Sequence, residues 1–359
     1  SMVVGRFAPS PSGRIHLGNI FCCLLAWLSA RQKGGRVILR IEDLDIARCP
    51  RRYGEQMCRD IQWLGLDWDE GPVIGGPSGP YEQSRRTALY QAALRRLEAQ
   101  GLVYPCFCTR AELHAASGPH RENGQVVYPG TCRGLTAEQA AERARRTGRA
   151  PALRLWVPEE EITFTDGHMG EYREWLPADC GDFLLRRSDG IFAYQLAVVV
   201  DDAAMGVTEV VRGADLLAST PRQLLLYRLL GLEALAFYHF PLLLGSDGQR
   251  LSKRNADAGL DTLQPLGRTQ KRGEPAGGLC LGEGPQSGYP HSGGTVLKRK
   301  RHRLTACAAS LVALSRKGVW NLHFCHQLPA DDGEHLLQLG ALRRGKPLRD
   351  AVHDGGHVG

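Results

Sequence analysis

The chain has 359 residues, 43% of them hydrophobic and 23% charged, with a net charge of +7. That length suffices for two domains and a sizeable core. No apolar run reaches the roughly 18 residues of a membrane span, and no basic-then-apolar leader opens the chain, so neither a membrane protein nor an export signal is expected. The charge is uneven: residues 1–263 hold 31 basic and 31 acidic side chains, while residues 264–359 hold 14 and 7. Any nucleic-acid contact by the main body must therefore come from local patches rather than from a generally basic surface. Eleven scattered cysteines are not the framework of a secreted miniprotein. They fit reduced thiols in a cytoplasmic protein, with room for one metal site.

In chain order, residues 2–8 (MVVGRFA) read as a short buried strand that runs into Pro-Ser-Pro-Ser-Gly. Residues 20–33 follow as a helix closed by Gly34-Gly35, and RVILRIED (36–43) as a second strand. Strand, turn, helix, strand is a βαβ unit and predicts a parallel sheet. Helices are expected over 52–64 and 81–101. Residues 102–180 hold four cysteines, many turn residues and short apolar runs, as an inserted subdomain would. Residues 182–217 read as a return to strands, with Ser188-Asp189-Gly190 as a hairpin turn. Residues 219–232 read as a helix with Ser219 or Thr220 as N-cap and Pro221 in its first turn. An apolar strand beginning at Phe240 leads into a loop that ends near 261. Beyond 263 glycine-rich stretches dominate, and only 304–315 and 334–344 have helical texture.

Three constellations carry chemistry. "RFAPSPSGRIHLGN" (6–19) is a strand ending in a turn that feeds a helix. Such a helix start offers free N–H groups and a positive dipole end to phosphate. Gly18 leaves its backbone open to a flat purine, and His16 can donate to a phosphate oxygen; an incidental histidine after a turn would look the same. "RLSKR" (250–254) sits in a glycine-bearing loop, where Lys253 can neutralise charge as pyrophosphate leaves; a solvated basic loop would read alike. "CFC" (106–108) with "YPGTC" (128–132) places Cys106, Cys108 and Cys132 at spacings that suit one tetrahedral zinc, with His114 and His120 as further candidates and buried free thiols as the alternative. Cys22 and Cys23, and the tryptophans of WLGLDW (63–68), read as core packing.

His-Leu-Gly-Asn followed some 235 residues later by Arg-Leu-Ser-Lys-Arg resembles the paired signatures of class I aminoacyl-tRNA synthetases. RFAPSPSG, ILRIEDLD, WLGLDWDEGP, the Cys-x-Cys insertion, FAYQLAVVVDD and VVRGADLL extend the resemblance over residues 3–262, and they are similar to the glutamyl branch. Within it, LAVVVDD and VVRGADLLAST look most like the shortened glutamyl-queuosine tRNA(Asp) synthetase family. The resemblance implies an α/β fold: a Rossmann-like class I catalytic domain with a parallel sheet, split as 2–101 and 182–262 around an inserted zinc-bearing α+β subdomain at 102–181. The tail at 263–359 is atypical, basic and glycine-rich.

The resemblance also implies roles. L-glutamate would lie against Arg6, Phe7, Ala8, Pro9, Ser10, Glu42, Tyr194 and Arg212. The arginines suit its side-chain carboxylate as planar forks, and Glu42 with Ser10 suits the ammonium. Arg40 and Asp43 flank Glu42, and strand alternation is expected to set Glu42 on the face away from them. ATP would lie against His16, Gly18, Asn19, Arg250, Leu251, Ser252, Lys253 and Arg254, with His16 and Lys253 assisting catalysis and Mg2+ bridging the phosphates. One structural Zn2+ would be held by Cys106, Cys108, Tyr128 and Cys132. The expected reaction is ATP-dependent activation of glutamate without tRNA, then transfer to the queuosine base at the wobble position of tRNA(Asp), by a monomer in the cytoplasm. Aminoacylation of the glutamyl-tRNA synthetase type is the alternative, although the last 96 residues do not read as its large helical anticodon-binding domain. A small-molecule adenylyltransferase would not need the glutamate-pocket set. An inactive synthetase-like RNA-binding protein is the remaining reading, against which the intact His16, Gly18, Glu42, Arg212 and Lys253 argue. The tail matches neither synthetase type; VLKRKRHR (296–303) within it reads first as a solvated run, with contact to a phosphate backbone as the alternative.

Overall fold

The computed structural model describes residues 2–116 and 127–242, with the side chains of 114–116 left aside. Strand β1 (Val4–Phe7) passes through the turn into helix α1 (Leu17–Gln32) and returns as β2 (Arg36–Leu39), parallel to β1 with Val4 opposite Arg36. This is the expected βαβ unit. Its helix forms because Leu17, Ile20, Leu24, Trp27 and Ala30 recur on a helical face and are all buried. Helix α2 (Arg51–Trp63) follows, and its C-terminal turn leaves Trp63 42% exposed, while Trp68 packs into the core. Only one of the two tryptophans read as packing is therefore buried.

Helix α3 spans Thr87–Ala99, six residues shorter at its start than expected. Residues 81–86 instead run beside β2, with Glu82 paired to Ile41, and close in a 3-10 turn over Gln83–Arg85. Side-chain bonding explains the difference. Tyr81 donates to Glu70 at 2.9 Å, while Gln83 and Arg86 donate to the buried Asp201 at 2.9 and 2.6 Å. A helix begun at Tyr81 would pull these groups off their partners.

Strand β3 (Val103–Cys106), helices α4 (Arg110–Ala116) and α5 (Ala137–Thr147), and strand β4 (Ala152–Leu155) come next. Thr136 and Gln139 cap α5 reciprocally, each side chain accepting the other's backbone N–H. The hairpin of β5 (Glu161–Asp166) and β6 (Gly170–Trp175) follows, then β7 (Leu184–Arg186), which completes an antiparallel β3-β4-β7 sheet. Arg187 N–H donates to the Ile191 carbonyl at 2.8 Å across Ser188-Asp189-Gly190, the expected tight turn.

The run after it is helix α6 (Tyr194–Ala204), not a strand. A short valine-rich run buried on nearly every side carries no periodicity that separates strand from helix. Strand β8 (Glu209–Gly213) leads through a 3-10 segment (Ala214–Ser219) and helix α7 (Thr220–Leu229) to β9 (Ala236–Phe240), parallel to β8. Pro221 does lie in the first turn of α7, but neither Ser219 nor Thr220 caps it with a side chain. Their hydroxyls are used elsewhere: Ser219 accepts from Gln195, and Thr220 accepts from Arg212. The final strand begins at Ala236, four residues before the expected start, and residues 241–242 after it are not strand.

Thr208 joins the two parallel pairs: its backbone N–H donates to the Val4 carbonyl and its hydroxyl accepts from Val4 N–H, both at 2.9 Å. The result is an α/β body with parallel strands. One apolar cluster lies between α1, α2 and the sheet, and a second between α3, α6, α7 and the hairpin. Tyr104, Cys106, Phe107, Tyr128 and Cys132 form a small third cluster.

Candidate functional site: an arginine-lined crevice at the strand ends

The carboxyl ends of β1, β2 and β8 deliver Arg6, Arg40 and Arg212 to one region, where crevices of open parallel sheets hold ligands. Helix α6 adds Tyr194 at its start, with Asp201 and Asp202 near its end. Arg40 N–H donates to the Phe7 carbonyl and Glu42 N–H to the Pro9 carbonyl, at 2.8 and 3.0 Å, so the chain past β2 lies against the chain past β1. Arg6, Arg40, Glu42, Asp201, Asp202 and Arg212 are each at most 7% exposed.

Burying charges is costly unless they are paired, and these are. Asp202 accepts from Arg40 Nη1 at 2.7 Å and from Arg6 Nε at 3.2 Å. Burial works against its carboxylate, but the Arg40 and Arg6 guanidiniums outweigh that and hold the carboxyl below its usual range. Glu42 accepts from Arg40 at 3.2 Å. Burial pushes it above the usual carboxylate range, and Arg40 and Arg6 offset this only in part. The expectation that Glu42 faces away from Arg40 is thus corrected. Residues two apart share a face in extended chain, and the two side chains pair; Asp43 bonds Ser84 instead.

Arg212 is held by two neighbours. Its Nε donates to His239 Nε2 and its Nη2 to Thr220 Oγ1, both at 2.9 Å, while Nη1 is buried without a hydrogen-bond partner. An orphaned cationic donor is expensive, and an anionic ligand would satisfy it. Burial lowers the proton affinity of Arg212 from its ordinary value, and the nearby Arg6 charge acts in the same direction. This group can bind and orient a carboxylate.

His239 is buried beside Arg212. Burial, reinforced by the Arg212 charge and opposed by Asp166, pushes its imidazole down to about 4. The unfolded chain therefore binds the proton that the folded chain refuses between pH 6.5 and 4. Stability should fall as pH drops through that window, by on the order of 3 kcal/mol when the shift is fully expressed. Urea midpoints at pH 7 and pH 4.5 test this, and His239→Gln should flatten the difference.

The other sequence candidates are placed as follows. His16 stands at the N-cap of α1 with no side-chain cap, and no acidic residue enters the first turn. Its first N–H groups are thus not closed by a capping side chain, as an anion site requires. Gly18 presses on the His16 ring: a Cβ there would meet the imidazole at 3.1 Å. Asn19 is half-buried in the same turn. Ala8 and Pro9 line the turn past Arg6, Ser10 is exposed, and Phe7 is buried in the core at 2% exposure. Arg250, Leu251, Ser252, Lys253 and Arg254 lie outside the described residues, as do His120, the side chain of His114 and the whole tail after 263.

Cys106, Cys108 and Cys132 bring their sulfurs within 4.8 Å of one another. Cys108 and Cys132 are 3.7 Å apart, and Tyr128 Oη lies 3.5 and 3.7 Å from Cys106 and Cys108. Tetrahedral zinc with Zn–S bonds near 2.3 Å has ligand edges of about 3.8 Å, so the four groups fit that ion. Phe107 N–H and Arg143 Nη1 donate to the Cys132 sulfur at 3.4 and 3.2 Å.

A cleft of about 440 Å³ runs from Tyr128 to Tyr194, lined also by Arg110, Arg154, Asp182 and Arg222. Sequence reasoning missed Arg154, Arg222, Thr220, Asp166 and His239. Asp201-Asp202 was legible as a pair of acids inside an apolar run, a position that acids occupy only when partnered.

Two βαβ units with buried guanidiniums at their strand ends make this an α/β domain with parallel strands and a polar crevice at their carboxyl ends. Residues 2–268 match the family described as tRNA synthetases class I (E and Q), catalytic domain, and the chain belongs to that family. More narrowly, it belongs with the glutamyl-Q tRNA(Asp) synthetases. It is 57% identical over 269 residues to the one from Symbiobacterium thermophilum, covering 74% of this chain and 82% of that protein. It is 49% identical over 260 residues to glutamate–tRNA ligase 1 of Halorhodospira halophila, covering 72% of this chain but 54% of the ligase. Among solved structures, a glutamate tRNA ligase from Elizabethkingia meningosepticum in complex with its amino acid superposes with a TM-score of 0.62 at 32% identity, over 72% of this chain and 53% of that one.

Proposed function

We propose that the protein activates L-glutamate with ATP in the absence of tRNA and then transfers the glutamyl group to the queuosine base at the wobble position of tRNA(Asp). The observation that carries this reading is the buried Arg212, held on two sides and open at Nη1, beside Arg6 and Tyr194 in a chain whose relatives are glutamyl-Q tRNA(Asp) synthetases.

In this reading Arg6, Tyr194 and Arg212 receive the glutamate side-chain carboxylate, and Glu42 and Ser10 receive the ammonium, with Phe7, Ala8 and Pro9 as the wall behind. The α-carboxylate oxygen attacks the α-phosphorus of ATP, the bond to the β-phosphate oxygen breaks, and pyrophosphate leaves. His16 and the α1 amides beside Gly18 and Asn19 stabilise the developing charge by position and electrostatics, and Arg250, Leu251, Ser252, Lys253 and Arg254 are the further ATP contacts of this reading. Mg2+ supplies further neutralisation at the phosphates when bound. A hydroxyl of the modified base then attacks the glutamyl carbonyl carbon and loses its proton as AMP departs. No protein nucleophile is needed.

Cys106, Cys108, Tyr128 and Cys132 would hold one structural Zn2+, which ties the small third cluster together. Cys132→Ser should reduce bound zinc from one per chain to a small fraction and lower the melting temperature, read by metal analysis and thermal denaturation. We place the protein in the cytoplasm as a monomer, divided as 2–101, 102–181 and 182–262; the described cysteines are all free, and no helix among the described residues is long and apolar enough to cross a membrane.

The test is ATP–pyrophosphate exchange without tRNA. Exchange with glutamate, but not with glutamine or aspartate, is expected. Activity only after tRNA is added would favour aminoacylation of the ligase type, and silence under both conditions would overturn the proposal.

A further inference from the structure

Why Arg212 keeps one nitrogen open is answered two elements away. Asp166 ends β5 at the tip of the hairpin and is 2% exposed. Its Oδ1 accepts three backbone N–H groups, from His168, Met169 and His239, at 3.0, 2.9 and 3.1 Å. Its Oδ2 stands 2.6 Å from His239 Nδ1. A carboxylate offers only acceptors, so Nδ1 must carry the ring proton. His239 Nε2 is then an unprotonated lone pair; it meets Arg212 Nε at 2.9 Å, with Thr220 Oγ1 at 3.3 Å beside it.

The hairpin tip is itself clipped to β9. Gly167 N–H donates to the Phe237 carbonyl at 2.8 Å, and His168 stacks on Phe240 with centroids 4.5 Å apart. Any side chain at 167 is excluded, because a Cβ would sit 2.1 Å from the Tyr238 ring. The backbone therefore delivers Asp166 to one place, and His239 transmits that placement to the guanidinium.

We propose that Asp166 and His239 are positioning residues for amino-acid recognition: Asp166 holds the Nδ1–H tautomer of His239, and the bare Nε2 holds Arg212 Nε so that Nη1 is left for the substrate carboxylate. The inference rests on the reading of Arg212 as a glutamate contact. It assigns to the β5–β6 hairpin, remote from the nucleotide-binding turn, a part in substrate specificity. A histidine in the other tautomer would point N–H at N–H and turn the guanidinium away.

Exchange kinetics on the full chain test this with Asp166→Asn, His239→Gln, their double variant and Arg212→Gln. The asparagine keeps Oδ1 for the three amides but presents NH2 to Nδ1, driving the ring proton onto Nε2. Glutamine at 239 restores an acceptor near Nε2 without needing Asp166. Asp166→Asn is expected to raise the glutamate KM roughly ten- to a hundredfold, the worth of one hydrogen bond to a charged group, with the ATP KM unchanged. His239→Gln alone should stay within a few-fold of the parent, and adding Asp166→Asn to it should change little. Equal costs of Asp166→Asn in both backgrounds, or glutamate and ATP KM rising together, would overturn the proposal. Should the asparagine variant fail to fold, nitrogen chemical shifts of His239 in the unaltered chain decide. A protonated Nδ1 is expected, and a protonated Nε2 overturns the inference. Arg212→Gln separates the two ideas: an unchanged glutamate KM there would bring down the pocket reading itself, whereas a raised one with a silent Asp166→Asn would bring down the inference alone.

Discussion

Replacing Arg212 by glutamine is expected to raise the glutamate KM by roughly thirtyfold to several thousandfold, the equivalent of about 2–5 kcal/mol for removing one partner of a buried charge contact. The structure explains why the effect should be large and confined to glutamate. Arg212 is 5% exposed, bonded to His239 and Thr220 on one side and unbonded at Nη1 on the other. Glutamine can keep one of the two inner bonds but brings no charge and no fork to a carboxylate. Lysine would keep the charge and lose both inner bonds, so it should rescue poorly. Glutamate and ATP titrations in the exchange assay measure this. A variant with its ATP KM raised as much as its glutamate KM would mean that Arg212 supports the fold of the crevice rather than the amino acid.

The second large effect concerns stability. Asp202→Asn should cost about 3–5 kcal/mol, the usual loss when one member of a buried ion cluster is neutralised. Arg40 is fully buried and donates to Asp202 at 2.7 Å, and Arg6 donates to the same carboxylate at 3.2 Å. Glu42 and Asp201 remain near Arg40, but Arg6 keeps no other hydrogen-bonded anion among the described residues. For a body of this size the loss corresponds to a melting temperature lower by about 6–20 °C. Thermal or urea unfolding measures it at pH 7, where Asp202 is ionised. A variant as stable as the parent would mean that desolvation of the three charges already cancels their attraction, so that the cluster serves geometry alone.

The sequence by itself was enough for the class. Strand, proline-rich turn, His-x-Gly-Asn helix and strand read as a βαβ unit because the apolar spacing and the glycine stops are local properties. Cys106 and Cys108 were legible as neighbours because they lie two positions apart, but Tyr128 and Cys132 follow 20 or more residues later, and packing is what brings the two groups together. Arg6, Glu42, Tyr194 and Arg212 came from resemblance rather than from periodicity. What local pattern could not supply was the identity of α6, a valine-rich run that is helical because it is enclosed by α3, α7 and the sheet. The start of α3 was lost to Asp201, which draws Gln83 and Arg86 out of helical register across more than 100 residues of chain. The partners of Arg212 were hidden most deeply. Asp166, His239 and Thr220 lie on a hairpin, a strand and a helix start, and only packing brings them to 2.6–2.9 Å of their neighbours. Sequence specifies which groups can bond. Which of them do so is decided by the tertiary structure, because a buried donor must find its acceptor wherever the fold has placed one.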